Sequence, residues 1–213
     1  MSKKDLFSMD KTQLIMNKYS QIASNLCLGL FFTFFLVMNG RAYISTSRPS
    51  LLFYIILNSI FLVFAIIRKP AKDVDVNFLP WLFALGGTLL PLLLFPDGNE
   101  DLYLGMLIQI YGIVMAIASG MSLNRALGMV AANRGIKTNG IYRLVRHPLY
   151  FSYAISMIGF IVNNFNAYNV FVLIIHIGFQ IQRIKYEERL LSKDGKYKTY
   201  MSSVKYRMFP YVY

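Results

Sequence analysis

The chain has 213 residues, 56% of them hydrophobic and only 15% charged, with a formal net charge of +12. A soluble domain carries nearer ~25% charged residues, so an ordinary soluble globular protein is excluded. A lone cysteine, Cys27, rules out an intramolecular disulfide, and no Cys/His set suits a structural zinc site, so no metal is expected.

Four stretches lack Asp, Glu, Lys and Arg altogether: Tyr19–Gly40, Pro49–Ile67, Val76–Pro96 and Leu102–Asn124, of 22, 19, 21 and 23 residues. A bilayer core of about 30 Å needs roughly 20 apolar residues at helical rise, so each predicts a spanning helix. No short apolar run with a small-residue cleavage site opens the chain, and the first helix is expected to stay as an anchor. A fifth uncharged stretch, Pro148–Gln182, has 35 residues and is broken by Asn163-Asn164-Phe165-Asn166, a cluster suited to a turn. It predicts a helical hairpin of Pro148–Val162 and Ala167–Gln182, its second arm extending into the charged sequence beyond. A re-entrant hairpin that never crosses is the alternative.

The expected fold class is therefore all-α: a polytopic membrane protein of about six transmembrane helices, range five to seven. With six spans, 20 of the 22 basic residues fall on one side, and only Arg41 and Arg48 join Asp97, Glu100 and Asp101 on the other. The positive side is then cytoplasmic, with both termini inside. The net charge is accounted for by this topology and by anionic headgroups, not by nucleic acid. Membrane lipids are the expected surroundings, and no obligate protein partner is evident.

Residues 1–123 read as transmembrane scaffold. Residues 124–213 hold the dense groups of Gly, Arg, His, Tyr and Glu and read as one structural unit: a loop, the hairpin and a C-terminal segment. In the loop Asn124–His147, Gly128, Gly135 and Gly140 allow tight turns and close approach of the backbone to a ligand. Arg134 reads either as a loop or headgroup contact or as a site residue. Pro148 suits the first position of the fifth helix, with His147 at its cap, a place suited to a carboxylate. On the last long helix His176, Gln180, Arg183 and Glu187 form one stripe, with Ile184 and Glu188 beside it. Such a stripe either faces a wet cavity in the bundle or ends as a surface pair of Arg183 and Glu187. The tail, with Tyr197 and Tyr200, reads as interfacial.

The run Gly140-Ile141-Tyr142-Arg143-Leu144-Val145-Arg146-His147-Pro148-Leu149-Tyr150 resembles the G-x-Y-x-x-x-R-H-P-x-Y signature of the isoprenylcysteine carboxyl methyltransferase and phospholipid methyltransferase superfamily. Downstream, Arg183, Glu187-Glu188, Gly195-Lys196-Tyr197-Lys198-Thr199-Tyr200 and Pro210 follow that family's order. Ile141 stands where the family often has Pro, and Asp194 where it usually has Phe. The resemblance covers roughly residues 124–213.

It implies a membrane methyltransferase that uses S-adenosyl-L-methionine in a cytoplasmic pocket and takes a lipophilic acceptor from the bilayer: an isoprenylcysteine-like carboxylate, or a lipid amine or thiol. In that reading Arg146, His147 and the helix start at Pro148 hold the cofactor's carboxylate, and Glu187 or Glu188 its ammonium or a ribose hydroxyl. Tyr142 and Tyr150 pack on adenine or the sulfonium, backbone around Ile136 and Gly140 pairs with the adenine edge, and Tyr197 contributes to the pocket. Arg183, Glu187 and His176 are the catalytic candidates: Arg183 for an acidic acceptor, and His176, His147 or Glu187 where a base is needed. The competing readings are an NADPH-dependent reductase of sterol-reductase type and a non-catalytic membrane module.

Overall fold

A computed structural model describes residues 3–95 and 102–212. Asp97, Glu100 and Asp101 of the expected outer loop lie outside the described residues. Among the described residues seven α-helices follow in chain order: α1 (Lys3–Thr46), α2 (Pro49–Ile67), α3 (Phe78–Leu89), α4 (Tyr103–Leu123), α5 (Pro148–Asn163), α6 (Ala167–Leu191) and α7 (Gly195–Ser203). Two-residue strands β1 (Asp73–Val74) and β2 (Ala132–Asn133) pair antiparallel, tying the α2–α3 connector to the long loop.

Among the described residues, four helices are long and apolar enough to cross a membrane: Lys18–Thr46, Pro49–Ile67, Tyr103–Ala126 and Ala167–Leu191. Phe78–Leu93 and Pro148–Asn163 are shorter. The hairpin forms where the Asn cluster predicts it. Asn166 caps α6 by accepting from the Asn169 N–H at 2.7 Å. At 25 residues, α6 runs past Gln182 to Leu191.

The third helix is a correction to the sequence reading. Val76–Pro96 predicts one continuous span, yet α3 stops at Leu89 and a 3₁₀ turn covers Leu90–Leu93. Pro91 is the cause: it has no N–H to give to the carbonyl four residues earlier. That carbonyl, of Gly87, accepts instead from Gln180 Nε2 at 3.0 Å. Just beyond the turn, Asn169 donates to the Phe95 carbonyl at 2.8 Å and accepts from the Phe95 N–H at 2.9 Å. Two polar side chains of α6 thus satisfy the backbone that the proline breaks.

Helices α4 and α5 pack backbone to backbone through small residues. A Cβ on Gly112 would lie 2.5 Å from the Ser156 backbone nitrogen, and one on Gly159 would meet the Gln109 backbone. Interhelical contact through glycine is a common device in membranes, where no hydrophobic force drives helices together. Gly112→Ala must push the two backbones apart, and we expect it to lower stability by about 1–3 kcal/mol, measurable as a lowered midpoint of thermal unfolding in detergent. The main core joins Leu28 and Phe32 of α1, Leu57 and Phe61 of α2, Ile113 and Ala116 of α4, and Leu127, Met129 and Val130 of the loop. Its packing brings the first two helices against the loop that follows α4.

Candidate active site

The site forms where the long loop, the N-terminus of α5, the C-terminal part of α6 and the tail converge. His147 is the residue before α5 and Pro148 its first residue, as the Arg-His-Pro order predicts. Beside them the tail returns along the loop: Arg146 N–H donates to the Tyr206 carbonyl at 3.0 Å and His147 N–H to that of Arg207 at 2.7 Å. Tyr200 on α7 donates to the Tyr142 carbonyl at 2.6 Å. Burial raises the hydroxyl pKa of Tyr142, Tyr197 and Tyr200 and keeps all three neutral.

At the centre sits Glu188, whose side chain is only 6% exposed. Its Oε1 accepts from Arg146 Nε at 2.7 Å and lies 3.2 Å from His147 Nε2; its Oε2 accepts from Arg207 Nε at 2.8 Å. Arg146 Nη1 donates to the carbonyls of Val204 and Lys205 at 2.7 and 2.8 Å. Both oxygens of Glu188 and much of the Arg146 fork are therefore committed to joining α6, α5 and the tail. The next residue behaves differently. Glu187 is 28% exposed and accepts from the Tyr150 hydroxyl at 2.7 Å through Oε2.

A cavity opens here. Ile136, Tyr142, Arg146, His147, Tyr150, Glu187 and Tyr197 of the sequence candidates line it, together with Gly128, Arg134, Gly135, Lys137 and Tyr200. Gly140, Pro148 and Glu188 do not line it, and their part is to shape its walls. Gly140 has φ +62°, and a Cβ there would sit 2.7 Å from Ser122 Oγ, so it permits the turn against α4.

Arg183 and His176 line a second cavity, among the helices. Its walls are mostly apolar and come from α1 and α2 (Phe31, Phe32, Phe35, Tyr54, Leu57, Phe61) and from Leu127, Met129 and Tyr153. Of the polar stripe of α6, His176 and Arg183 line this cavity and Glu187 the first. His176, Gln180 and Arg183 are 1%, 0% and 6% exposed, which decides for an interior cavity over a surface pair. Gln180 Nε2 can only donate, so His176 Nε2, at 3.2 Å, accepts; the ring then carries its proton on Nδ1, which has no partner. Arg183 donates to the Met129 carbonyl and lies over the Tyr150 ring, 4.9 Å from its centroid, while its Nε is unpaired.

The two cavities meet. Gly128, Leu149 and Tyr150 line both, so the Tyr150 ring stands in the wall between them. His147 stacks near it, with ring centroids 5.6 Å apart and 12° between planes. A polar pocket abutting a buried apolar one, with charged groups on each side of a single aromatic wall, suits transfer of a small group between a polar donor and a lipophilic acceptor.

Residues 102–193 match the isoprenylcysteine carboxyl methyltransferase (ICMT) family. The matched segment holds α4, the loop, α5 and α6, and therefore most of the lining of the polar cavity. It supports membrane methyltransferase activity and a lipophilic substrate. No curated protein matches the chain.

Sequence reasoning missed the walls of the second cavity, because Phe31, Phe32, Tyr54 and Leu57 carry no chemistry and sit in spans that look like scaffold. It placed Arg134 between two readings, and the structure puts it in the polar cavity.

Proposed function

We propose that the protein transfers a methyl group from S-adenosyl-L-methionine to the carboxylate of a lipophilic, isoprenylcysteine-like acceptor. The observation that carries this reading is the shared Tyr150 wall between a polar and an apolar cavity. The polar cavity fits the cofactor. It offers a carboxylate at Glu187, a buried cation at Arg134, aromatic faces at Tyr142 and Tyr150, and backbone around Ile136. The bound cofactor would supply an electrophilic methyl carbon. The chain's own residues position and desolvate, which is the main requirement of an in-line displacement.

The apolar cavity fits the acceptor. Two residues that line it, His176 and Arg183, each carry a buried nitrogen without a partner, Nδ1 and Nε, and a cation beside a donor suits a carboxylate. With its proton on Nδ1 and Nε2 occupied, His176 acts as a donor here rather than as the base that an amine acceptor would need. A further apolar recess shares Phe31, Thr88 and Met129 with this cavity and reaches Leu30, Phe34 and Leu89, which are exposed on α1 and α3. It offers a lateral route from the bilayer. In this reading residues 124–213 form the cofactor unit, residues 1–123 contribute the acceptor's walls, and the positive side with both termini is cytoplasmic.

The test is calorimetric titration of the detergent-purified protein with S-adenosylhomocysteine, with NADPH in parallel. Saturable S-adenosylhomocysteine binding, weakened roughly 10- to 100-fold by Glu187→Gln through loss of a charge-assisted bond, supports the reading. Binding of NADPH instead moves the reductase alternative forward and ends this one. Methylation of a farnesylated N-acetylcysteine, followed with labelled cofactor, tests the acceptor class.

A further inference from the structure

Arg134 is 8% exposed and lines the polar cavity. Among the described residues it forms no ion pair, and its Nε has no hydrogen-bond partner. A buried guanidinium in that state is costly unless an anion is brought to it. Burial lowers its pKa to about 10, and the Glu187 carboxylate opposes the fall, so it remains a cation at neutral pH. A second buried cation, Arg68 at the end of α2, lies within its electrostatic reach and has an unpaired Nη1 of its own. Arg68 bonds Asn25 Oδ1 and the Gln21 carbonyl, neutral groups that leave its charge uncompensated.

The chain makes room for Arg134. A Cβ on Gly128 would lie 2.6 Å from its Nη1, so the glycine lets the guanidinium lie against the loop backbone. Arg146 is less available, because Glu188 and two tail carbonyls occupy its fork. The polar cavity thus holds one unpartnered buried cation, Arg134, and one accessible carboxylate, Glu187.

We infer that Arg134, rather than Arg146, anchors the carboxylate of the bound cofactor's amino-acid end, with Glu187 facing the ammonium of the same zwitterion. The inference rests on the methyltransferase reading and assigns its carboxylate subsite. Gly128 and the Arg68 charge support that subsite from behind: one gives the guanidinium space, the other adds to the positive field.

Three ligands test it by calorimetry: S-adenosylhomocysteine, its decarboxylated analogue, which keeps the amine, and methylthioadenosine, which lacks the whole amino-acid end. Wild-type protein should bind S-adenosylhomocysteine roughly 10- to 100-fold more tightly than the decarboxylated analogue. Arg134→Gln should erase that preference and leave methylthioadenosine binding unchanged, and Arg134→Lys should restore part of it. If Arg134→Gln fails to fold, the wild-type preference and the Lys variant still decide. Equal affinity of wild-type protein for the carboxylated and decarboxylated ligands, or a preference that survives Arg134→Gln, overturns the inference alone. So does a uniform loss for all three ligands in both Arg134 variants, which marks a structural role. Failure of wild-type protein to bind any of the three overturns the methyltransferase reading and the inference with it.

Discussion

Glu188→Ala is expected to cost about 3–5 kcal/mol, the usual effect of removing one partner from a buried ion pair. For a chain of this size that lowers the unfolding midpoint by about 6–20 °C. The reason lies in what the carboxylate holds. It joins α6 to Arg146 and His147 at the start of α5 and to Arg207 in the tail. Without it, the Arg146 guanidinium, only 5% exposed, keeps backbone acceptors but loses its counter-charge. Tail residues 204–208 should then release, visible as protease cleavage near Lys205 and Arg207 at temperatures where the wild-type protein resists. Glu188→Gln keeps the shape and one acceptor and should fall between. Glu187→Gln, one residue away, should leave the midpoint almost unchanged, because that carboxylate is partly exposed and is held by one tyrosine hydroxyl and a longer approach of His147 Nδ1 at 3.9 Å. Two adjacent glutamates would thus separate cleanly, one by stability and one by ligand affinity. A midpoint unchanged in Glu188→Ala would mean that the tail is held by other contacts.

That contrast also marks what the sequence makes legible. The spans α1, α2 and α4 follow from uncharged runs of near-bilayer length, since charge in lipid is the costliest feature a chain can carry. The hairpin follows from its Asn cluster, and the start of α5 from Pro148. The adjacent glutamates are visible as a motif, but a one-residue step on a helix turns a side chain by about 100°. Which of the two faces the cavity depends on where Arg146, His147 and Arg207 arrive from distant parts of the chain. The break in α3 was legible in principle from Pro91, but its repair by Gln180 and Asn169, some 80 residues on, was not. The apolar cavity was hidden for a similar reason. Phe31, Tyr54 and Leu57 are ordinary membrane residues until α1 and α2 fold over Tyr150.

Replacing Arg183 should separate the two cavities functionally. Arg183→Lys keeps a positive charge but loses the planar fork that reaches the Met129 carbonyl and Thr88 while lying over Tyr150. The acceptor carboxylate would then be held by His176 Nδ1–H alone. Methyl transfer demands near-attack alignment, and misplacement of about 1 Å costs on the order of 10²-fold, so kcat/KM for a farnesylated N-acetylcysteine should fall by that order. S-adenosylhomocysteine affinity should stay close to wild type, because Arg183 does not line the polar cavity. His176→Phe should act in the same direction and more weakly, since it removes one donor and leaves the guanidinium. Parallel loss of cofactor affinity in Arg183→Lys would show that the arginine acts through Tyr150 on the shared wall rather than on the acceptor. Full activity in both variants would move the acceptor out of this cavity. The expected split, with cofactor binding kept and transfer lost, requires two ligands on opposite faces of one tyrosine, as the shared lining of the two cavities suggests.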